Sequence, residues 1–374
     1  GAAAERSQKI TLMRDEILIT PAPYSAPAAY YVPNVSRISS MEVVKGPAAV
    51  THGPHTVGGA VNLVSAPVPS AAMGVVDLSY GSDGYYKAQA AYGNMKGNFG
   101  YLVDVLTYGA DGFKSIDGHG DSTGFERSDF GIKLLYQNPE SPRDHKVSLL
   151  IEGGEEGADE TYLGLADADF IDNPYRRYAA SQLARFESEH INVLLNYSLS
   201  LTQKTRSNVK IYWNDFDRSW NKLDGFLAGP TLQKVLQAPT QYQDQYFVLT
   251  GQKNSALTDD EILDVTNNDR AYESSGIQWS ISDQRTLGSI TLSSRGGIRL
   301  HQDQVERNHQ PATYLMTNFQ MIPDAVPREP KVVNKAESEA LAVYGITRIS
   351  LGGFSIDLGV RHEDIDGEVF NQLT

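Results

Sequence analysis

From about residue 72 onward, apolar and polar side chains alternate with period two, the spacing that sends successive residues to opposite faces of a sheet. In "HINVLLNYSLSL", Ile191, Val193, Leu195, Tyr197, Leu199 and Leu201 fall on one face, while His190, Asn192, Asn196, Ser198 and Ser200 fall on the other. "FSIDLGVR" sets Phe354, Ile356, Leu358 and Val360 against Ser355, Asp357 and Arg361. The same rule holds for Phe130/Ile132/Leu134/Tyr136, Val147/Leu149/Ile151, Val209/Ile211/Trp213, Ile277/Trp279/Ile281 and Ile290/Leu292/Ile298/Leu300. The pattern predicts about eleven antiparallel strands with one apolar and one wet face.

Alternation alone does not separate a membrane barrel from a soluble sandwich, because both have an inner and an outer face. Connection length discriminates better. Short connections are expected near 93–97, 138–144, 202–206, 283–287 and 350–353, and long ones near 110–127, 154–186, 218–270 and 302–336. Strict alternation of short and long connections is the habit of outer-membrane barrels, and four long loops leaving one end suggest a binding mouth. A single-chain bacterial barrel closes with an even number of strands. An odd count therefore leads us to expect a fragment, with a preceding segment and further strands lying outside it.

Ahead of the barrel pattern, "MEVVKGPAAVTHGPHTVGGAVNLVSAPVP" places two Val-rich strands, Met41 to Val44 and Ala60 to Val64, around Gly46-Pro47, Gly53-Pro54 and Gly58-Gly59. The segment is expected to fold tightly back on itself. Composition narrows the field further. The chain of 374 residues holds 32 Lys+Arg against 46 Asp+Glu, a formal net charge of -14, so no nucleic-acid partner is expected. Cys is absent, which removes disulfides and thiolate chemistry. No apolar run approaches the roughly 20 residues of a membrane helix, and "GAAAERSQK" lacks a signal peptide's basic start and apolar core. A β-barrel passes both tests unseen.

With a barrel pattern following it, "MEVVKGPAAVTHGPHTVGGAVNLV" resembles the end of the plug domain of TonB-dependent outer-membrane receptors. That family's pattern runs strand, (Lys/Arg)-Gly-Pro, short helical turn, Tyr-Gly, then Gly-Gly-x-Val-Asn-(Ile/Leu). Glu42, Lys45, Gly46, Pro47, Gly53, Gly58, Gly59, Asn62 and Leu63 match it, and His52 stands where Tyr is usual. "RSQKITLMRDEILITPAPYSAPAAYYVPNVSRIS" resembles the plug's central strand and apical loop in the ferric dicitrate receptor branch, and "YLGLADADFIDNPYRRYAASQ" a loop of that branch. The resemblance implies the latter part of a plug over 1–69 and the first half of a 22-stranded transmembrane β-barrel over 70–374. It also implies a bacterial outer-membrane location, contact with outer-membrane lipid, and a TonB-ExbB-ExbD energy complex engaged through a segment absent from this chain.

In that family ligand is held between plug apex and extracellular loops, which makes Pro21 to Tyr31 the apical loop here. Tyr24, Ser25, Tyr30 and Tyr31 then become candidates on a Pro-stiffened frame, against the alternative that they pack on the barrel wall. A ferric citrate or similar carboxylate chelate is anionic, and Arg176, Arg177, Arg299 and His301 are its candidate cradle, against loop-internal ion pairs or solvated lumen residues. The motif glycines are expected to be structural. The pairs His52/His55 and His301/His309 read as packing histidines, since no Cys or close carboxylate completes a metal set. No cofactor is expected.

No G-x-S-x-G or H-E-x-x-H occurs, and nothing groups a nucleophile with a base, so the expected activity is uptake and not catalysis. The alternatives are uptake of another nutrient (a catecholate or hydroxamate siderophore, a cobalamin, a metal-peptide complex) or, in another class, a barrel enzyme or adhesin.

Overall fold

The computed structural model describes residues 9–120, 123–138, 141, 143–159 and 161–373; the first eight residues of the N-terminal stretch and part of the 138–144 connection lie outside them. Two sheets account for the architecture, one nested against the other.

The first sheet has four strands: β1 (Ile10–Arg14), β2 (Ile17–Leu18), β3 (Ile38–Val44) and β4 (Gly59–Ser65), in the order β2-β1-β4-β3. β4 runs parallel to β1 and antiparallel to β3, with Glu42 opposite Asn62 and Val44 opposite Ala60. The Gly- and Pro-rich stretch therefore does double back, and a 3-10 turn over Gly46–Thr51 makes the reversal. Asn62, 3% exposed, spends both ends of its amide on this sheet: Nδ2 donates to Glu42 at 2.8 Å and Oδ1 accepts from the Glu16 amide at 2.8 Å. An apolar residue there would orphan both groups.

The second sheet is a single antiparallel meander of β5 (Met73–Tyr80), β6 (Tyr86–Lys96), β7 (Phe99–Ala110), β9 (Phe125–Asn138), β10 (His145–Ala158), β12 (Arg185–Ser200), β13 (Thr205–Phe226), β14 (Leu263–Leu287), β15 (Ile290–Thr317), β17 (Val332–Leu351) and β18 (Phe354–Asn371). These are the eleven strands the alternation implies. Short β16 (Gln320–Pro323) folds back on β15, and β8 (Ser115–Ile116) pairs in parallel with β11 (Arg176–Arg177) inside the loops.

Register turns the alternation into a belt. Tyr101, Leu134, Leu149, Leu195, Ile211, Ile277, Leu300 and Leu341 stand directly opposite one another across eight successive strands. Nearer the short turns, Phe99, Tyr136, Tyr197 and Trp279 share a row on the same face, the arrangement of an aromatic girdle. The belt is exposed, whereas the opposite face buries Glu152, Lys210, Asn214, Gln278, Arg299 and Asp303 against the four-stranded sheet. This inside-out distribution fits an apolar solvent outside and a polar plug within.

The strands overrun the expected loops. Residues 218–226 and 263–270 belong to β13 and β14, and 302–317 and 332–336 to β15 and β17. Beyond the belt, residues such as Leu223, Phe226, Val305 and Met316 are buried against the cap or the plug, so the apolar-out pattern lapses while the backbone ladder continues. The connections that remain long are 111–124, 159–184, 227–262 and 318–331, all at one end, where the 81–85 connection is short. The β6–β7 and β14–β15 turns sit a few residues later than expected, at 97–98 and 288–289.

Candidate ligand mouth

Three of the long connections share one core. Leu163, Tyr178, Ala179 and Ala180 from 159–184 pack with Val235, Val248 and Leu249 from 227–262, with Leu263 and Val265 of β14, and with Met316 and Met321 of the β15–β16 hairpin. The helices of these connections are short, α1 (Asp167–Asp172), α2 (Leu232–Gln237) and α3 (Gln243–Thr250); α2 presents Val235 and α3 Val248 and Leu249, and α2 is capped by Thr231, whose hydroxyl accepts from the Lys234 amide. The 111–124 segment joins through β8–β11 pairing and through the His119 ring, 2.8 Å from the Phe319 carbonyl. Asp169 gathers the hydroxyls of Tyr178 (2.5 Å) and Tyr246 (2.6 Å) and one arm of Arg176 (2.9 Å).

Below this cap, three arginines stand side by side on adjacent strands. Arg218 of β13 is directly opposite Arg270 of β14, which is directly opposite Arg307 of β15, and all three point into the lumen. Like charges in direct cross-strand register repel, so the arrangement costs stability unless something else occupies the space between them. Among the described residues no carboxylate lies within 4 Å of any of the three. Their contacts are neutral: Arg218 donates to the Asn268 carbonyl (2.9 Å), Arg270 to His309 Nε2 (3.3 Å) and Arg307 to Asn334 Oδ1 (3.1 Å). Arg218 is 4% exposed and its Nε has no partner, nor does the hydroxyl of buried Tyr272. Arg127, by contrast, is neutralised by Asp129 (3.0 Å) and Glu156 (3.3 Å). A cavity of about 900 Å³ opens over these groups.

The plug apex reaches this level. The Tyr30 ring lies 4.7 Å beneath the Arg218 guanidinium and 6.1 Å from Tyr272, while the Val32 carbonyl accepts from Arg127. Tyr31 is buried, its ring 4.2 Å from His190 and its hydroxyl 3.5 Å from Glu152; burial pushes its ionisation far up, so it stays a neutral donor. Tyr24 and Ser25 sit lower: their amides donate to Asp303 (2.8 and 3.0 Å), Tyr24 Oη to Glu363 (3.2 Å) and Ser25 Oγ to Ser338 (2.8 Å).

Arg299 and His301 occupy the lower half of β15, because the strand continues to Thr317 where a long connection from 302 was expected. Arg299 donates to Gln278 and to the Gly53 carbonyl. His301 bridges Asp303 (3.1 Å) and the Tyr212 hydroxyl (2.7 Å). Arg176 is engaged by Asp117 (2.9 Å) and Asp169, and its pKa rises, first through the Asp117 hydrogen bond. Arg177 donates to Thr161 Oγ1 (3.0 Å) and the Pro174 carbonyl (3.0 Å), and burial lowers its pKa. Of the motif residues, Lys45, Gly46 and Pro47 lie exposed at the 3-10 turn, Gly53 beside Arg361, and Gly58 against the Lys9 carbonyl. His55 Nε2 lies 3.0 Å from the Pro23 carbonyl, and no metal-ligating cluster occurs among the described residues.

The arginine row was out of reach of sequence reasoning. Arg218, Arg270 and Arg307 are 52 and 37 residues apart in the chain, and only strand register makes them neighbours.

No protein-family model matches the chain. A 135-residue stretch, 34% of the chain, is 28% identical to the vitamin B12 transporter BtuB of Photobacterium profundum, covering 22% of that protein. The fold matches the unliganded ferric citrate transporter FecA (TM-score 0.70, 19% identity, 100% of this chain and 50% of that one). It also matches the siderophore receptor PiuA of Acinetobacter baumannii (0.71, 12%, 98% and 52%) and the ferripyoverdine receptor of Pseudomonas aeruginosa (0.68, 13%, 96% and 46%). The chain spans about half the length of these solved structures.

Proposed function

Because the chain has the plug-and-barrel fold of the TonB-dependent receptors of the Gram-negative outer membrane, we propose that its parent protein imports an anionic ferric chelate of the citrate or carboxylate-siderophore class. The observation that supports this is the Arg218–Arg270–Arg307 row, three cations in direct register with no carboxylate within 4 Å among the described residues and with a buried unpartnered Nε, although Asp217, Asp269 and Glu306 also line the cavity. Guanidinium groups bind carboxylates in bidentate fashion, and such charge-assisted bonds are strong where water is excluded. Tyr30 is the plug's ligand contact in this reading, since ligand at Arg218 meets its ring first. Tyr24, Ser25 and Tyr31 then relay occupancy to the plug, while Arg176 and Arg177 shape the cap through their loop bonds. Binding without chemistry does the selective work, and energy from a TonB-ExbB-ExbD complex displaces the plug.

Titration calorimetry of the full-length parent in detergent tests the reading, with ferric dicitrate, iron-free citrate and a ferric catecholate as ligands. Tight binding confined to ferric dicitrate is expected. Each of Arg218→Gln, Arg270→Gln and Arg307→Gln is expected to weaken it about tenfold or more, the size of one charge-assisted hydrogen bond. The partial identity to a vitamin B12 transporter favours a second reading, cobalamin uptake. Binding of cyanocobalamin that is indifferent to the three arginines, with no binding of ferric dicitrate, would replace the first reading by the second.

A further inference from the structure

The lumen face of β15 reads, from mouth to short turn, Arg307, Val305, Asp303, His301, Arg299, Gly297, Arg295. Arg299 lies eight residues below Arg307, roughly 27 Å along an extended strand. It is 1% exposed, and among the described residues no carboxylate lies within 4 Å of it. Gln278 takes its Nε at 3.0 Å. Its Nη1 is left to plug backbone, the carbonyls of Gly53 (2.5 Å) and His52 (3.5 Å).

A second guanidinium meets the same plug segment. Arg361 of β18 packs so closely on Gly53 that a Cβ there would collide with its Nε and Cζ. Glu363 holds Arg361 through Nε and Nη2, but Nη1 is buried without a partner and the side chain is 8% exposed. Two buried guanidiniums thus converge on residues 52–53, and for Arg299, which has no carboxylate partner among the described residues, the carbonyls there take the place of an anion. Peptide dipoles are weak partners for a full charge removed from water, and a cation kept there against that cost calls for a function.

We propose that Arg299 and Arg361 form a second anion site, closed by plug residues 52–53 and opened when the plug is displaced, which receives the carboxylate cargo from the mouth. The proposal rests on the reading of the mouth as an anion site. Withdrawal of the plug segment strips Arg299 of its carbonyls and clears the face of Arg361, so the two become a cradle at the moment a path opens. Asp303, engaged by the plug amides and His301, separates the two sites and discourages a continuous slide of bound anion.

The test uses the full-length parent in planar bilayers, with the plug displaced reversibly by urea so that the barrel conducts, and citrate as the probe. Measurements are made with Arg218, Arg270 and Arg307 all changed to Gln, which removes the mouth from the result. Citrate is expected still to block the current. Adding Arg299→Gln or Arg361→Gln raises the half-blocking concentration about tenfold each, the loss of one charge-assisted contact. Arg299→Lys, which keeps the charge, retains most of the block. If one Gln variant does not fold, the other carries the test.

Absence of citrate block in the conducting mouth variant overturns the proposal. So does a half-blocking concentration unmoved by Arg299→Gln and Arg361→Gln, or an equal shift on Arg348→Gln, an exposed arginine paired with Asp357. Failure of the mouth reading is visible separately, as absence of ferric dicitrate binding to the closed wild-type receptor.

Discussion

Glu16 shows how single residues seat the plug. Burial alone raises its pKa, but Lys210 (2.7 Å) and Arg295 (2.8 Å) on the barrel wall outweigh it and bring the carboxyl down from 4.5 to about 2. His52 shifts the same way, burial and then Arg295 lowering it from 6.5 to about 4. In both cases the released plug binds protons that the seated one does not, so seating is complete above the free values and is lost as pH falls through the windows 6.5 to about 4 and 4.5 to about 2. Hydrogen exchange of the full-length parent is expected to show acid release of the plug in that range, and Glu16→Gln to abolish its lower part. Gly59 is the other residue to test. Its φ is +119° and a Cβ would lie 2.6 Å from the Val44 carbonyl, so Gly59→Ala is expected to cost about 1–3 kcal/mol of plug stability by calorimetry. Gly46→Ala has positive φ but open space around it and should cost less.

At the level of elements, the cap behaves as one packed unit. Val248 and Leu249 are fully buried among residues from three connections, so Leu249→Ala is expected to lose about 2–5 kcal/mol locally. Limited proteolysis should then nick 159–184 and 227–262 together and not in succession. The strands of this structure were legible from alternation because their outward rows are apolar and their lumen rows polar, as in β12 and β18. Their upper reaches were not, since Leu223, Phe226, Val305 and Met316 there pack on cap or plug segments that the strand's own sequence does not reveal. The turn glycines and Asn62 were readable because local geometry demands them. The charge row was not, because Arg218, Arg270 and Arg307 are related only by hydrogen-bonding register. Arg176, which the sequence offers as an open cation, is engaged by Asp117 from a separate loop and by Asp169 from a short helix.

Over the whole molecule, an exposed apolar belt outside and many buried charged and polar side chains on the lumen face, beside a few apolar contacts with the plug, depart from the usual plan of a globular protein. Leu195 lies in the outward row and Asn196 faces the lumen beside Asn208 (2.7 Å). Leu195→Arg is expected to destabilise the full-length barrel by about 2–4 kcal/mol in liposomes, whereas Asn196→Asp should change little in that assay. The cap obeys a different logic from the wall beneath it, being held by an ordinary hydrophobic core. That core is divided among segments far apart in the chain, each supplying a few side chains that have nowhere to pack alone. A single segment grafted elsewhere would arrive as a fragment of an interior, exposing Tyr178 or Val248 to water, so the three segments that build the core are transplantable only as a set.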